Sequence, residues 1–332
     1  VILAAGGLET ARLLLAARAE RPDRFGGPEG PLGRFYMGHV NGTIADVTLA
    51  DDRIDAALDF FVDANRRYVR RRFTPSPDLQ RRERLLNAAF WPVVPDVFDP
   101  RHRSGPLSLA WLALALRPVG RRLVAEPIRL KHLGPGRPRY GAHLANILRD
   151  PLRVATFAPR FLWGRRFAEP RLPGFFLRNR ARRYGLEFHS EQSPDPDSRV
   201  VLSDRVDATG LPLLRIDYRF SEADAARTVR AHDLLAGWLE RTGAGRLDHR
   251  HPPEARIGAV LAECKHGNHQ IGLVRMGETP AEGVVDRDCA VFGAPGLHVA
   301  STAVLPTSGQ ANPTLTAAAL ALRLADRIAG AG

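Results

Sequence analysis

Apolar residues change their spacing several times along the chain, and each change predicts a change of element. VILAA (1–5) is a short branched run, the pattern of a buried strand. Gly6-Gly7 interrupts it. LETARLLLAARAE then sets Leu8, Ala11, Leu14 and Leu15 on one side of a helix. The glycines of this strand–turn–helix unit let its backbone come close to another group. A parallel strand of this kind needs sheet neighbours on both sides. None precedes it, so the pattern predicts a domain cut short or completed by another polypeptide.

Residues 22–34, rich in Gly and Pro, read as loop. Residues 41–100 mix strands such as TIADVTL with a basic helix around RRERLLNAAF. Residues 101–183 are Arg-rich and Pro-punctuated and predict mostly helix, with no legible chemistry. From 185 the pattern alternates: LEFHSEQ, RVVLS and LLRIDYRF are strands split by the turn residues PDPDS and DATG. Ser221 is an N-cap for the helix that follows, with Glu222 and Asp224 in its first turn and Gly243 as its stop. Near the end, VFGAPGLHVAS is a turn feeding a short strand, Leu297–Ala300. Asn312 and Pro313 fit the cap and first position of a helix, LTAAALALRLADRIAG, that ends at Gly330. No internal repeat is present.

Composition narrows the class. The chain has 332 residues, 44% hydrophobic and 25% charged, ordinary for a globular protein with a real core. The formal charge is +12, yet every basic residue except Lys131 and Lys265 is Arg. That skew reflects genome composition at least as much as a selected basic surface. The arginines run along the whole chain and accompany no groove-reading motif, so no nucleic-acid partner is expected. Cys264 and Cys289 cannot form a disulfide framework. Cys264, His266 and His269 are ligand types, but no second Cys/His pair follows at zinc spacing, so no metal is expected. PLSLAWLALAL (106–116) is too short to cross a bilayer, which takes about 20 apolar residues. It reads as a packed helix with a solvated basic end; weak membrane-surface contact through 106–124 is the alternative. No signal peptide leads the chain, and a cytoplasmic location is expected.

Six stretches carry a resemblance: VILAAGGLETARLLL, PLGRFYMGH, SEQSPDPDSRVVLSD, HQIGLVRMG, VVDRDCAVFGAPGLHVASTAVLPTSGQANPTLT and ALALRLADRI. In this order they resemble the glucose–methanol–choline (GMC) family of flavin-dependent alcohol oxidoreductases, over about residues 1–39, 185–240 and 264–330. The resemblance implies an α/β fold, α+β overall. In it, a partial Rossmann-like FAD-binding domain (1–35 and 264–332) carries an inserted antiparallel-sheet substrate domain (36–263). Family members begin with a strand and a G-x-G-x-x-G turn that holds the FAD pyrophosphate. No such motif occurs here. By resemblance this is the C-terminal part of such an enzyme, with roughly the N-terminal third or more of a typical member absent.

The chemistry implied is oxidation of a CH–OH group of an alcohol, sugar or polyol, with the hydride passing to FAD and the proton to the protein. His269, in H-x-x-G, stands where the family keeps its catalytic His and is expected to be the general base; a histidine satisfied by backbone in a turn is the alternative. Asn312 matches the second member of the family's pair and is expected to hydrogen-bond the substrate oxygen, a role that competes with capping. Asn312, Pro313 and Thr314 would also face the flavin through the helix N-terminus. Ala300, Ser301 and Thr302 at a strand end, and Ala5 and Gly6 opposite, are expected cofactor contacts; many members have Asp where Ser301 stands. Gln270 is an expected substrate contact. Arg275 and Met276 are expected to pack, and Glu191 and Gln192 to be structural. The electron acceptor is not legible. The competing reading is a non-catalytic paralogue or interaction subunit that binds no flavin.

Overall fold

The computed structural model describes residues 1–134, 137–173, 176–179, 181–264 and 269–330, apart from the side chains of 127, 128, 131 and 158. β1 (Ile2–Leu3) feeds α1 (Gly6–Glu20), followed by the long strand β2 (His39–Leu49) and a short helix α2 (Asp52–Ala57). A hairpin of β3 (Phe61–Val62) and β4 (Tyr68–Val69), then α3 (Pro77–Glu83), lead to β5 (Ala88–Val93). Five helices follow: α4 (Gly105–Ala115), α5 (Arg117–Leu123), α6 (Glu126–Leu133), α7 (Tyr140–Arg149) and α8 (Pro151–Arg166). Strands return as β6 (Arg183–Glu191), β7 (Arg199–Val206) and β8 (Pro212–Asp217). Then come α9 (Glu222–Thr242), β9 (Gly245–His249), α10 (Arg256–Glu263), β10 (His298–Val299) and α11 (Thr314–Gly330).

Four strands form an antiparallel sheet in the order β5-β6-β2-β9. Strand side chains alternate faces. Tyr184, Leu186 and Phe188 of β6 therefore point to one side, where they join Ala225 and Leu239 of α9 and Val260 of α10 in a core. The intervening Glu187, His189 and Glu191 lie on the other face and stay only partly covered. α9 begins and ends as its sequence predicts. The Ser221 hydroxyl accepts from the Asp224 N–H at 3.1 Å, and Gly243 closes the helix at φ +65°. The region around RRERLLNAAF differs from expectation. Its helix stops at Glu83, and Ala88–Phe90 are drawn into pairing with β6. That pairing buries Ala88 and Phe90, which outweighs the weak local helical preference.

A second core gathers Ala11, Leu14 and Leu15 of α1 with Leu273, Val284, Val299 and Val304 from the last seventy residues. Parallel pairing among the described residues is confined here to β1 with β10 and one isolated bridge, Met276 with Val285. The β7–β8 hairpin packs on this core through Val200, and Arg12 staples α1 to it. The Arg12 guanidinium reaches Asp207 at 2.6 Å and donates to the Pro212 and Leu211 carbonyls. The apolar run 106–116 forms α4, whose Leu107 and Trp111 are fully buried among the surrounding helices. Its basic continuation α5 is exposed. No described helix is long and apolar enough to cross a membrane.

Candidate active site

The backbone that follows His269 is held by its partners. Ile271 exchanges both hydrogen bonds with Met37, at 2.9 and 3.0 Å. Gly272 sits at φ +89°, in the left-handed region, and a Cβ there would collide with the Phe35 carbonyl. This close approach is the physical reason for the H-x-x-G spacing: only glycine lets the strand turn back against residues 35–37. His269 is thereby held against the start of β2. Its ring meets that of His39 edge-on at 4.6 Å, and His39 stacks on His189 at 5.4 Å. Trp91 of β5 closes the row, edge-on to His189 at 4.9 Å. His189 and Trp91 share the open face of the sheet.

Three imidazoles crowded together cannot all carry charge. Both ring nitrogens of His39, and Nδ1 of His189 and of His269, are buried without a hydrogen-bond partner. Burial, then the neighbouring His269, pulls His39 down to about 4. Burial likewise takes His189 to about 4, helped by His39, Arg72 and His269. His269 is lowered by burial alone. All three are neutral near pH 7 and able to accept a proton. Neither His39 nor His189 stood out in the sequence. The signal was there in part: His39 ends PLGRFYMGH and His189 lies in LEFHSEQ, but nothing local says that β2 and β6 are neighbours.

The turn carrying Asn312 is stitched to this same end of the sheet. The Ser308 hydroxyl accepts from the Gln192 N–H at 2.8 Å, and the Asn87 side chain accepts from the Gln310 N–H at 3.0 Å. Arg72 stacks over Trp91 at 4.0 Å and extends toward Gln310 Oε1 at 3.5 Å. The Gly309 carbonyl lies near enough to His39 to favour its proton slightly, without completing a hydrogen bond to either nitrogen. Asn312 itself is exposed, and its side chain makes no hydrogen bond among the described residues. The expected cap is therefore unmade. The helix starts at Thr314, with the Pro313 carbonyl accepting from Ala317 at 2.9 Å. No hydrogen bond among the described residues joins Asn312 to His269; the two turns share a body through His39 and the sheet end.

The remaining expected contacts fall into two groups. Ala5 and Gly6 follow β1 while Ala300, Ser301 and Thr302 follow β10, so the ends of two parallel strands bring them side by side. Ala5 and Gly6 are exposed, and a Cβ on Gly6 would meet nothing. Two hydroxyls are already engaged: Ser301 accepts from the Ala303 N–H at 3.2 Å, and Thr302 donates to the Gln270 carbonyl at 2.7 Å. Gln270 turns away from the imidazoles, its Oε1 accepting from the Leu8 N–H at 2.9 Å in the first turn of α1. Of the trio weighed for metal, His266 lies outside the described residues, and no cluster of metal-ligating side chains is present among those described. Two clefts of about 500 and 510 Å³ lie elsewhere, one lined by Asp46, Arg183 and Arg250 and the other by Phe73, Arg72 and Trp238. Neither is lined by His39, His189 or His269. The unpartnered imidazole nitrogens, not cleft size, mark the chemistry.

Residues 194–321 match the family model of GMC oxidoreductase. Over this segment the chain is similar to the C-terminal part of GMC oxidoreductases. Paromamine 6'-oxidase of Streptomyces fradiae is 35% identical over 137 residues, 41% of this chain and 24% of its own length. C-glycoside 3-oxidase of Microbacterium trichothecenolyticum is 36% identical over 163 residues, 48% and 28%. The large subunit of fructose dehydrogenase from Gluconobacter japonicus is 30% identical over 148 residues, 44% and 25%. The matches thus span about a quarter of these relatives. Among solved structures, formate oxidase of Aspergillus oryzae is 16% identical with a TM-score of 0.47, covering 98% of this chain and 53% of its own. Pyridoxine 4-oxidase of Mesorbium loti is 15% identical at 0.44, covering 98% and 50%. The GMC match includes Asn312 and His269, both inside 194–321.

Proposed function

We propose that this chain supplies the proton-handling and substrate-orienting side of an FAD-dependent oxidoreductase acting on a CH–OH group, with a sugar or glycoside as substrate. The observation that carries the reading is the row of imidazoles ending at His269, in which both ring nitrogens of His39 and Nδ1 of His189 and of His269 are buried without a hydrogen-bond partner, with His269 itself inside the GMC match. The relatives named for oxidising paromamine, C-glycosides and fructose support a carbohydrate substrate.

The residues present fit FAD. Ala5 and Gly6 at the end of β1 are exposed, and a Cβ on Gly6 would meet nothing, so this backbone can approach the cofactor without side-chain obstruction. Beside them Ala300 and Thr302 are half-buried, Ser301 is buried, and the Ala300 N–H already donates to the Leu3 carbonyl at 2.9 Å. Exposed Asn312 and Thr314 flank buried Pro313 at the start of α11, where the helix end favours negative charge. When bound, FAD supplies the hydride acceptor. His269 takes the hydroxyl proton on a ring nitrogen. Its neutrality is set by burial, so it is ready as a base near pH 7. Asn312, released from capping, donates from its amide to the same oxygen as negative charge grows there. His39 and His189 wall the base off from water on the sheet side.

Replacing His269 with Ala tests the reading in the flavin-loaded enzyme that contains this chain. Turnover should fall by about a hundred- to ten-thousand-fold, the usual scale for a general base. The flavin spectrum should stay intact. Turnover within a few-fold of the parent would remove His269 from the mechanism.

A further inference from the structure

Charge is not spread evenly over the folded chain. Residues 116–167 hold eleven Arg and Lys131 against Glu126 and Asp150, a net +10 out of the total +12. The same stretch, helices α5–α8, carries eleven of the twenty-two large apolar side chains exposed among the described residues. Glu126 is paired with Arg121 and Arg129. A soluble face rarely combines unpaired cations with exposed leucine and tryptophan.

α8 shows how the two coincide. Val154, Phe157, Phe161 and Gly164 recur at helical spacing and face inward. Leu152, Pro159 and Trp163 form the opposite, outward stripe, flanked by Arg153 and Arg160 on one side and Arg166 on the other. Leu148 at the end of α7 is 79% exposed, Leu152 81%, Trp163 64% and Phe167 67%. Trp163 and Phe167 touch at 5.5 Å and make one aromatic edge.

We propose that the α7–α8 face docks peripherally on an anionic lipid surface. Leu152, Trp163 and Phe167 would enter the boundary between headgroups and acyl chains, with Arg153, Arg160 and Arg166 on lipid phosphates. Charge complementarity selects the partner. A second copy would set one strongly basic face against another. A nucleic acid would satisfy the arginines but leave the leucines and Trp163 without an apolar environment. No described helix spans a bilayer, so the contact is interfacial.

The test is flotation of the full chain with vesicles of phosphatidylcholine, alone and mixed with phosphatidylglycerol. Association is expected with the anionic vesicles only, weakening at least tenfold from about 0.1 M to about 1 M salt. The triple variant Arg153→Gln, Arg160→Gln, Arg166→Gln should lower the partition by about a hundredfold. Leu152→Ser with Trp163→Ser should lower it as well. Anionic vesicles should blue-shift the tryptophan emission of the parent but not of Trp163→Leu. The substituted side chains are exposed, so Tm should hold; should the serine variant fail to fold, the charge variant and the salt series decide. Equal partition into both vesicle types would overturn the proposal, as would no flotation at all. So would binding of a DNA duplex, or dimerisation, by a chain that does not float.

Discussion

The imidazole end of the sheet and the α5–α8 helices both leave polar groups without partners, but in opposite solvents. At the sheet end, His39 is buried and His189 and His269 are partly buried, and that burial keeps all three neutral near pH 7. In the helices, Arg153, Arg160 and Arg166 stay in water and remain charged, beside apolar side chains that are also in water. A missing partner costs little at the surface and several kcal/mol in the interior. The first arrangement therefore persists only where the fold over-determines it. The second needs no such support and points outward to an unmade contact.

The largest way to break this contrast is the His269→Ala substitution described above. Next in size is the core of the helical region. Trp111 is buried and stacks on His143 at 4.1 Å, so Trp111→Ala should cost about 3–5 kcal/mol in denaturant unfolding. Trp163→Ala, on the exposed face of the same region, should stay within about 0.5 kcal/mol. Equal costs would mean that the outward stripe is packed after all. Gly272→Ala places a Cβ at φ +89° against the Phe35 carbonyl and should destabilise by about 1–3 kcal/mol or more, lowering turnover with it because His269 moves. An unchanged Tm and rate in that variant would show that the H-x-x-G turn does not position the base.

A smaller effect separates the two regions by pH. His39 and His189 stay neutral in the fold down to about pH 4, whereas in the unfolded chain they protonate near 6.5. Protons therefore favour the unfolded state as pH falls from 6.5 to 4, and stability is lost by about 1.4 kcal/mol per pH unit for each such histidine. Urea titrations across that window should show the loss, and His189→Gln should make it shallower. An identical slope in the variant would mean that His189 is not held neutral.

Local pattern made much of this fold legible. The capped helix from Ser221, the alternating strands after 185 and the helix at the C-terminal end appear close to where their periodicity sets them. Ala88–Phe90 departs from the expected helix because pairing with β6 decides its conformation, and pairing is not a local property. The site divides the same way. His269 and Asn312 are proposed for the site through family resemblance. His39 and His189 were hidden because only the β2–β6 register brings their rings together. Gln270 was expected at substrate, but its amide caps an N–H of α1, a contact between residues 262 positions apart. The charge of the helical region was obscured by counting arginines alone; the acids are what cluster elsewhere.

The central claim is that His269 and Asn312 serve one substrate oxygen from two turns fixed to a single sheet end. A double-mutant cycle in turnover measures this directly, using His269→Ala, Asn312→Ala and the pair together. If both act on one oxygen, the double variant should be little slower than His269→Ala alone, within about tenfold. Rate losses that multiply in full would show two independent sites and contradict the account.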